Sequence, residues 1–236
     1  MNTFVLKALY QRIQGCHDCP NMCPVKAVRN EKAVSKHTDI FIVSQALAKS
    51  TLRLSGVNFF DQNGVLGRTG MNLEKLFNPI GYTVYPAQDI KLGSGAIIPG
   101  ATKYIPVYNT ELAQCFPGRN RSGNDRAPTK TEIKQCLDNG FLEEELKLIQ
   151  PKLVLLMGVK STKSFYKRYL SDAAFAGKFA AHVCSVFEEK VRRKVRIGNL
   201  EFHCLPIHHA SPANNGNFNT FFENNHFNDL IQSILK

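Results

Sequence analysis

The sequence has no run of apolar residues long enough to cross a membrane. A membrane-spanning helix needs about 20 consecutive, mostly apolar residues, and every apolar run in this 236-residue chain is far shorter. The N-terminus also lacks the charged start, apolar block and small-residue cleavage site of a secretory signal. These absences argue against a membrane protein and predict a cytoplasmic one.

Acidic residues are scarce relative to basic ones. The chain has 19 Asp and Glu against 30 Lys and Arg, which gives a net charge of +11 at pH 7. A basic surface concentrates polyanions, and nucleic acid is the commonest polyanion in the cytosol. The basic residues are scattered, apart from KVRRKVR at 190–196. Charge therefore suggests a nucleic-acid partner but also fits a soluble protein that is merely basic.

Predicted strands and helices alternate along the chain. The clearest element is a helix over 127–151, which begins with a capping box of Thr129 and Glu132 and carries an apolar stripe. Its acidic run at 143–145 is predicted to face solvent. The other predicted elements are helices over 4–14, 70–81, 159–170 and 218–236 and strands over 38–45, 103–112, 152–158 and 200–206.

This alternation is typical of an α/β fold. We expect a three-layer sandwich whose central, mostly parallel sheet has four to five strands and is flanked by helices. A single domain should span 1–236, with the N-terminal segment 1–26 packed on it, and the protein should be a monomer. Ligands of such sheets bind beyond the carboxyl ends of the strands, so the polar loops after Val43, Leu112 and Ile207 are candidate site segments.

Cysteine is absent between Cys23 and Cys115, although three cysteines fall within residues 16–23. In a reducing compartment, cysteines serve as ligands, catalysts or core residues more often than as disulfides. Cys16 and Cys19 form a C-x2-C pair, which is half of a metal site, a redox pair or a chance spacing.

Two later cysteines are able to complete a four-thiolate site. These are Cys115, in a loop after a strand, and Cys136, on the strongly predicted helix. Four thiolates suit either zinc or an iron–sulfur cluster, and ligand type alone does not choose between them. Cys23 is a spare or substitute ligand, whereas Cys184 and Cys204 have apolar neighbours that predict core packing.

The order of these motifs resembles the iron–sulfur branch of the uracil-DNA glycosylase superfamily. The resemblance covers about residues 12–235. It rests on the N-terminal C-x2-C, the GRTG motif opening a helix, the CFPGRNR and PTKTEIKQC motifs, the PKLVLLMG strand and the HHASP motif. It implies a DNA-repair glycosylase that hydrolyses the N-glycosidic bond of a deaminated or damaged base in DNA. It also implies a structural 4Fe–4S cluster held by Cys16, Cys19, Cys115 and Cys136.

The same resemblance implies where the catalytic groups lie. His209 takes the place of the family's histidine, and Ser211 follows it in a loop able to contact phosphates. Gln45 and Ala46 occupy the first active-site loop, where the family has a Glu before the Ala. Asp61 is the nearest carboxylate that could orient a water molecule.

The implied base-binding positions depart from the family pattern. Val65 stands where the family has a base-stacking Phe, and Phe60 lies close by. Glu111 stands where an Asn reads the pyrimidine edge, and Asn109 precedes it by two positions. A carboxylate offers only acceptors, whereas an amide offers a donor and an acceptor.

These departures leave two functions open. Either the base specificity has changed, or the chain is a catalytically weak or inactive nucleic-acid-binding protein on the same scaffold. The polar segment 117–126 carries Arg119, Arg121 and Arg126, which are candidate contacts to a DNA backbone.

Overall fold

The computed structural model describes residues 3–19, 29–35, 37–46, 55–170, 175, 177–214, 216–219 and 226–236. Its strands are β1 (Ile40–Ala46), β2 (Tyr82–Thr83), β3 (Ile90–Lys91), β4 (Ile97–Ile98), β5 (Ile105–Pro106), β6 (Tyr108–Ala113), β7 (Leu153–Met157), β8 (Arg193–Ile197) and β9 (Leu200–Ile207). Its α-helices are α1 (Thr3–Gly15), α2 (Arg68–Phe77), α3 (Lys130–Asp138), α4 (Phe141–Ile149), α5 (Val159–Tyr169), α6 (Phe179–Glu188) and α7 (His226–Leu235). None of the helices described is long and apolar enough to span a membrane.

A five-stranded sheet in the order β6-β1-β7-β9-β8 forms the centre of the fold. The four strands β6, β1, β7 and β9 are parallel, and β8 pairs antiparallel with β9 at the edge. The central strands are buried on both faces, as their continuous apolar sequences predict.

Helices cover both faces of the sheet and make the three layers. Side chains of α2, α6 and α7 share one core with alternate residues of β1, β7 and β9. Side chains of α3, α4 and α5 share a second core with the opposite face. Helix α1 packs against Phe141 at the start of α4. The predicted fold class, an α/β sandwich on a mostly parallel sheet, is therefore confirmed.

The predicted helix over 127–151 is two helices. The capping box is present, because Thr129 Oγ1 accepts from the Glu132 N–H at 3.2 Å and the Glu132 carboxylate accepts from the Thr129 N–H at 2.7 Å. The helix then ends at Asp138, and α4 begins after Gly140, whose φ is +75°. Only glycine adopts this left-handed conformation without steric cost. The apolar periodicity continues across the break, which is why the sequence alone predicts one helix.

Other predicted elements differ in extent. The predicted strand over 103–112 is split into β5, which pairs with β2, and β6, which lies at the sheet edge. The basic segment at 190–196 overlaps β8, which together with α6 was missed from the sequence. Part of the predicted C-terminal helix, 220–225, lies outside the described residues, as does Cys23. Cys204 lies in the core as predicted, whereas Cys184 is half-buried.

The left-handed conformation of Gly140 predicts that position 140 requires a residue that tolerates a positive φ. We expect Gly140→Ala to lower the free energy of unfolding by about 1 to 2 kcal/mol, because an L-residue pays this steric cost. Gly140→Asn is the matched control and should lose less, since Asn tolerates this conformation best after Gly. Urea denaturation of the three proteins measures the difference, and equal stabilities would show that the break does not require a left-handed residue.

Candidate active site

The carboxyl ends of four parallel strands meet at one edge of the sheet. Strands β6, β1, β7 and β9 end there at Ala113, Ala46, Met157 and Ile207. The backbone N–H of Gly158 donates to the Ile207 carbonyl at 2.8 Å and ties two of these ends together. All three of the polar loops that the sequence singles out leave from this edge.

His209 lies just beyond the end of β9, next to Gly158. Its Nδ1 accepts a hydrogen bond from the backbone N–H of Ser211 at 3.1 Å. Burial lowers the pKa of His209 below its usual value, which favours the neutral ring. A neutral imidazole that accepts at Nδ1 carries its proton on Nε2, so His209 has a hydrogen-bond donor at the far side of its ring.

The segment after His209 is held in place by its neighbours. Asn72 Nδ2 donates to the Ala210 carbonyl at 2.8 Å, which links this loop to α2. Ser211 Oγ accepts from Asn214 Nδ2 at 3.2 Å within a single 3-10 turn. His208 is buried and its ring lies edge-on to Phe179. Of the two histidines, His209 is therefore the one held at the strand ends.

Gln45, predicted as a catalytic residue, and Ala46, predicted as a substrate-binding residue, are the last two residues of β1. Gln45 and Ala46 are half-buried at the end of this strand, and the rest of their loop, 47–54, lies outside the described residues. Asp61 instead stabilises a turn, because its Oδ1 accepts from the backbone N–H groups of Asn63 at 2.8 Å and Val65 at 2.9 Å. This contact explains Asp61 without a catalytic role.

The predicted base-stacking positions differ in exposure. Val65 lies at the tip of the Asp61 turn with 59% of its surface exposed. Phe60 is only 1% exposed and packs edge-on against Tyr85 in the core, so it has no face left for a base. Phe59, between them in exposure, has a φ of +71°, which is rare for a bulky residue and indicates a strained backbone.

The predicted base-reading residues bind one another. Asn109 Oδ1 accepts from Ser44 Oγ at 3.1 Å, and Asn109 Nδ2 donates to Glu111 Oε1 at 3.3 Å. The other carboxylate oxygen, Glu111 Oε2, accepts from Arg29 at 2.6 Å. These residues therefore satisfy one another inside the protein.

Arg29 is the centre of this network and was missed from the sequence. Its side chain is 4% exposed and also donates to Thr110 Oγ1 at 2.8 Å and Gln114 Oε1 at 2.6 Å. Its Nη1 lies 3.4 Å from Glu145 Oε1. No pattern around Arg29 in the sequence marks it as a buried residue.

Glu145 corrects the prediction that the acidic run 143–145 faces solvent. Its side chain is fully buried and accepts from Tyr108 Oη at 2.7 Å and from Thr110 Oγ1 at 2.6 Å. The sequence did hold a signal, because Glu145 shares a helix face with Phe141, Leu142 and Ile149, three to four residues away.

The network contains two carboxylates and one guanidinium in a buried place. The pKa of Glu111 is raised to about 7, because burial, the largest cause, together with the neighbouring Glu145 outweighs the lowering effect of Arg29. The pKa values of Tyr10 and Tyr108 are also raised by burial, and their hydroxyls share a hydrogen bond of 2.9 Å that joins α1 to β6. Two carboxylates therefore share one guanidinium.

A cavity of about 50 Å³ lies beside this network. It is bordered by Arg29, Asn58, Phe59, Tyr85 and Asn109, among others. The Nε of Arg29 is buried without a partner among the described residues. A space of this volume accommodates one or two water molecules and is too small for a nucleobase.

The loop at 117–126 presents fewer arginines than its sequence suggests. Arg126 forms a two-pronged pair with Glu132, at 2.8 and 2.5 Å. This pair lowers the pKa of Glu132 to about 2. Arg119 and Arg121 are exposed. Two arginines, rather than three, are therefore available to bind a phosphate backbone.

Four cysteines come together on the outer side of β6. Cys115 and Cys136 are buried, Cys16 and Cys19 are half-buried, and all four are free thiols. Cys19 packs against Cys115 and forms a hydrogen bond with Cys136. Burial raises the pKa of Cys136 to about 12, and the nearby sulfurs of Cys19, Cys115 and Cys16 also raise it.

The four sulfurs of this cysteine corner (Cys16, Cys19, Cys115 and Cys136) are suitable ligands for a metal ion or an iron–sulfur cluster. The distances between these side chains do not fit a single metal ion. Within the described ranges, no three His, Cys, Asp or Glu side chains converge closely enough to hold a metal ion. Sulfurs that bind the separate iron atoms of a polynuclear cluster lie farther apart than sulfurs around one zinc ion, where each bond is only about 2.3 Å. The four thiols lie near one another but do not surround a single point, and this arrangement fits a polynuclear cluster.

The comparison with protein families agrees with this geometry. The model of the uracil DNA glycosylase superfamily matches residues 31–234. The chain belongs to the uracil DNA glycosylase superfamily. Members of this superfamily are glycosylases that act on DNA. A comparison with curated proteins finds no match.

The family match covers the strand ends, His209, Cys115 and Cys136, but it begins after Cys16 and Cys19. Membership therefore accounts for the sheet and for the loops at its carboxyl edge. It does not by itself establish a cluster or the base that is recognised.

Removing Arg29 should be among the most damaging single changes. We expect Arg29→Leu to lower the free energy of unfolding by about 3 to 5 kcal/mol, because it leaves two buried carboxylates without a counter-charge. Arg12→Leu is the matched control: it breaks the exposed pair with Glu144 and should cost at most about 1 kcal/mol. Similar losses in the two variants, measured by urea denaturation, would contradict a special role for Arg29.

The raised pKa of Glu111 predicts a dependence of stability on pH. Its ordinary pKa of 4.5 applies to the unfolded chain and a pKa of about 7 to the folded one. Between these values the unfolded chain has released a proton that the folded protein still binds. Raising the pH from 4.5 to 7 therefore favours unfolding, by at most about 1.4 kcal/mol per pH unit for this group.

Glu111→Gln isolates this contribution from the histidines that titrate in the same range. The difference in free energy of unfolding between the native protein and Glu111→Gln should shift against the native protein as the pH rises through this window, and then level off. Urea titrations at half-unit intervals of pH measure it. A difference that stays constant from pH 4.5 to 8 would show that Glu111 is ionised throughout.

Proposed function

We propose that this protein is a DNA-repair glycosylase that hydrolyses the N-glycosidic bond of a deaminated or otherwise damaged base, uracil or a related base. The observation that carries the proposal is His209, held at the strand ends with a neutral ring and its Nε2 proton free of the Ser211 contact. The target base must leave the DNA stack to reach such a group, at a cost of a few kcal/mol.

His209 acts on the departing base. As the bond between the base nitrogen and C1′ of the sugar breaks, the electron pair stays with the base and negative charge develops on its carbonyl oxygens. A fixed Nε2–H donor stabilises this charge, and each 1.4 kcal/mol of stabilisation is worth about tenfold in rate. Ser211 fixes the ring orientation through its backbone N–H.

Water completes the reaction by bonding to C1′, and its proton is released. Gln45 cannot remove this proton as a carboxylate would, but its amide is able to orient the water. Asp61 is engaged in its turn. The proposal therefore places most of the rate enhancement on stabilising the leaving base rather than on activating water.

The proposal includes a 4Fe–4S cluster held by Cys16, Cys19, Cys115 and Cys136. When bound, the cluster supplies four covalent ties between segments far apart in sequence, and the hydrolysis itself transfers no electrons. Support comes from the four neighbouring free thiols and from their all-sulfur donor set. Zinc is the alternative, and it is less favoured because no three of these side chains close around one ion among the described residues.

A second function is favoured by a different observation. Glu111 and Asn109, the predicted base-reading residues, bind each other, and they also bind Arg29 and Ser44. A site whose polar groups are already satisfied gains little from a base edge. This observation favours a nucleic-acid-binding protein with weak or no catalysis, which would use exposed arginines such as Arg119 and Arg121.

A glycosylase assay distinguishes the DNA glycosylase from the nucleic-acid-binding protein with weak or no catalysis. Oligonucleotides containing uracil, hypoxanthine or xanthine, single- and double-stranded, are incubated with the protein and then cleaved at abasic sites. We expect release of at least one base, and at least about a 100-fold slower reaction for His209→Ala, since the loss of one such donor has an effect of this size. DNA affinity should be nearly unchanged.

His37→Ala is the matched control, because His37 is exposed at the opposite, amino-terminal edge of the sheet. It should retain full activity. Binding to DNA without release of any of the three bases would favour the second function. Equal loss of cleavage and binding in His209→Ala would contradict the role given to His209.

A further inference from the structure

Asn139 lies next to the sulfur of Cys16. Its Nδ2 donates to Cys16 Sγ at 3.4 Å, although 123 positions separate the two residues in the sequence. Gln135, one helical turn earlier, lies with its Nε2 3.4 Å from Asn139 Oδ1. Because this contact engages the oxygen of the Asn139 amide, it leaves the NH2 group directed at the sulfur.

Two other features place negative charge near the sulfur of Cys16. Cys16 follows the last residue of α1, where the helix dipole presents its negative end. The thiol of Cys16 lies 3.6 Å from Asp18 Oδ2, to which it donates. A deprotonated sulfur has no proton to give, so the same carboxylate would then repel it.

Cys16 also borders the protein surface. A shallow surface depression is lined by Arg12, Gly15, Cys16, Asp18, Asn139 and Phe141. The positive charge of Arg12 is engaged by Glu144, at 2.6 and 2.9 Å. Asn139 is thus the neutral donor that reaches the sulfur from the protein side of the depression.

We propose that Asn139, oriented by Gln135, is a positioning residue that stabilises the Cys16 thiolate as a cluster ligand and makes the cluster easier to reduce. Hydrogen bonds to ligating sulfurs draw negative charge away from the iron and raise the reduction potential. Asp18 acts in the opposite direction on the same sulfur. This inference rests on the cluster in the proposed function but not on glycosylase activity.

The test compares the purified full-length protein with Asn139→Ala and Asp18→Asn. Iron and acid-labile sulfide are counted first, and the midpoint potential is then measured by a mediated titration followed by visible absorption and electron paramagnetic resonance. We expect a more negative potential in Asn139→Ala and a more positive one in Asp18→Asn. An iron chelator should bleach the visible absorption band about tenfold faster in Asn139→Ala than in the native protein. A change of this size is in line with the effect of removing a contact to a ligand.

Asn63→Ala is the matched control, because Asn63 is exposed in the distant Asp61 turn, and it should leave both readouts unchanged. If Asn139→Ala does not assemble, Gln135→Leu removes only the orienting bond and should shift the potential in the same direction by less. A merely structural role would weaken both Asn139→Ala and Asp18→Asn without shifting their potentials in opposite directions.

The outcomes separate this inference from the glycosylase proposal. A native protein with iron and sulfide but an unchanged potential in Asn139→Ala overturns the inference and leaves the enzyme intact. A native protein without iron overturns the inference together with the cluster, while the base-release assay still decides hydrolysis. Opposite shifts in a protein that releases no base support the inference and contradict the enzyme.

Discussion

The buried ion pair of Arg29 with Glu111 and Glu145 is the interaction on which the site depends. Two carboxylates and one guanidinium are removed from water, and the hydrogen bonds to Thr110 and Gln114 help to offset the cost. The guanidinium of Arg29 binds Thr110 and Glu111 on the edge strand β6. The pair therefore fixes Arg29 to the strand that carries the predicted base-reading residues.

This constraint has opposite consequences for scaffold and for recognition. It stabilises the edge of the sheet, which otherwise ends in an open strand with unpaired backbone groups. It also occupies the carboxylate that stands at the reading position, so any base edge competes with an internal cation. The same contact thus explains how, in this member of the uracil DNA glycosylase superfamily, the residues predicted to read a base are held by other side chains of the protein.

The cysteine corner and the Arg29 network both contact β6 or the residues that follow it. Cys115 lies two residues after the end of β6, and Gln114, between the strand and Cys115, accepts from Arg29. Helix α1 reaches both, through the Tyr10–Tyr108 hydrogen bond and through Cys16 after its last turn. The proposed cluster would add covalent ties at this place, which is why its contribution would be to shape rather than to electron transfer.

The sequence by itself determined the elements with local signals. Apolar runs predicted the buried strands, and the Thr129–Glu132 box predicted the start of α3. These features depend on residues close together in the chain, so periodicity and spacing are enough to find them. The family followed from the resemblance of the motif order, and the family match confirms it.

Only the tertiary structure decided what lies between distant residues. Arg29 meets partners more than 80 positions away, Glu145 turns inward from an acidic run, and Phe60 enters the core while Asp61 closes a turn. The helix face marks Glu145 as a buried position, but no local pattern identifies the partner of such a residue, because a charge is buried only when another segment brings its counter-charge. The fold class and the histidine loop were therefore readable from the sequence, and the state of the base-reading position was not.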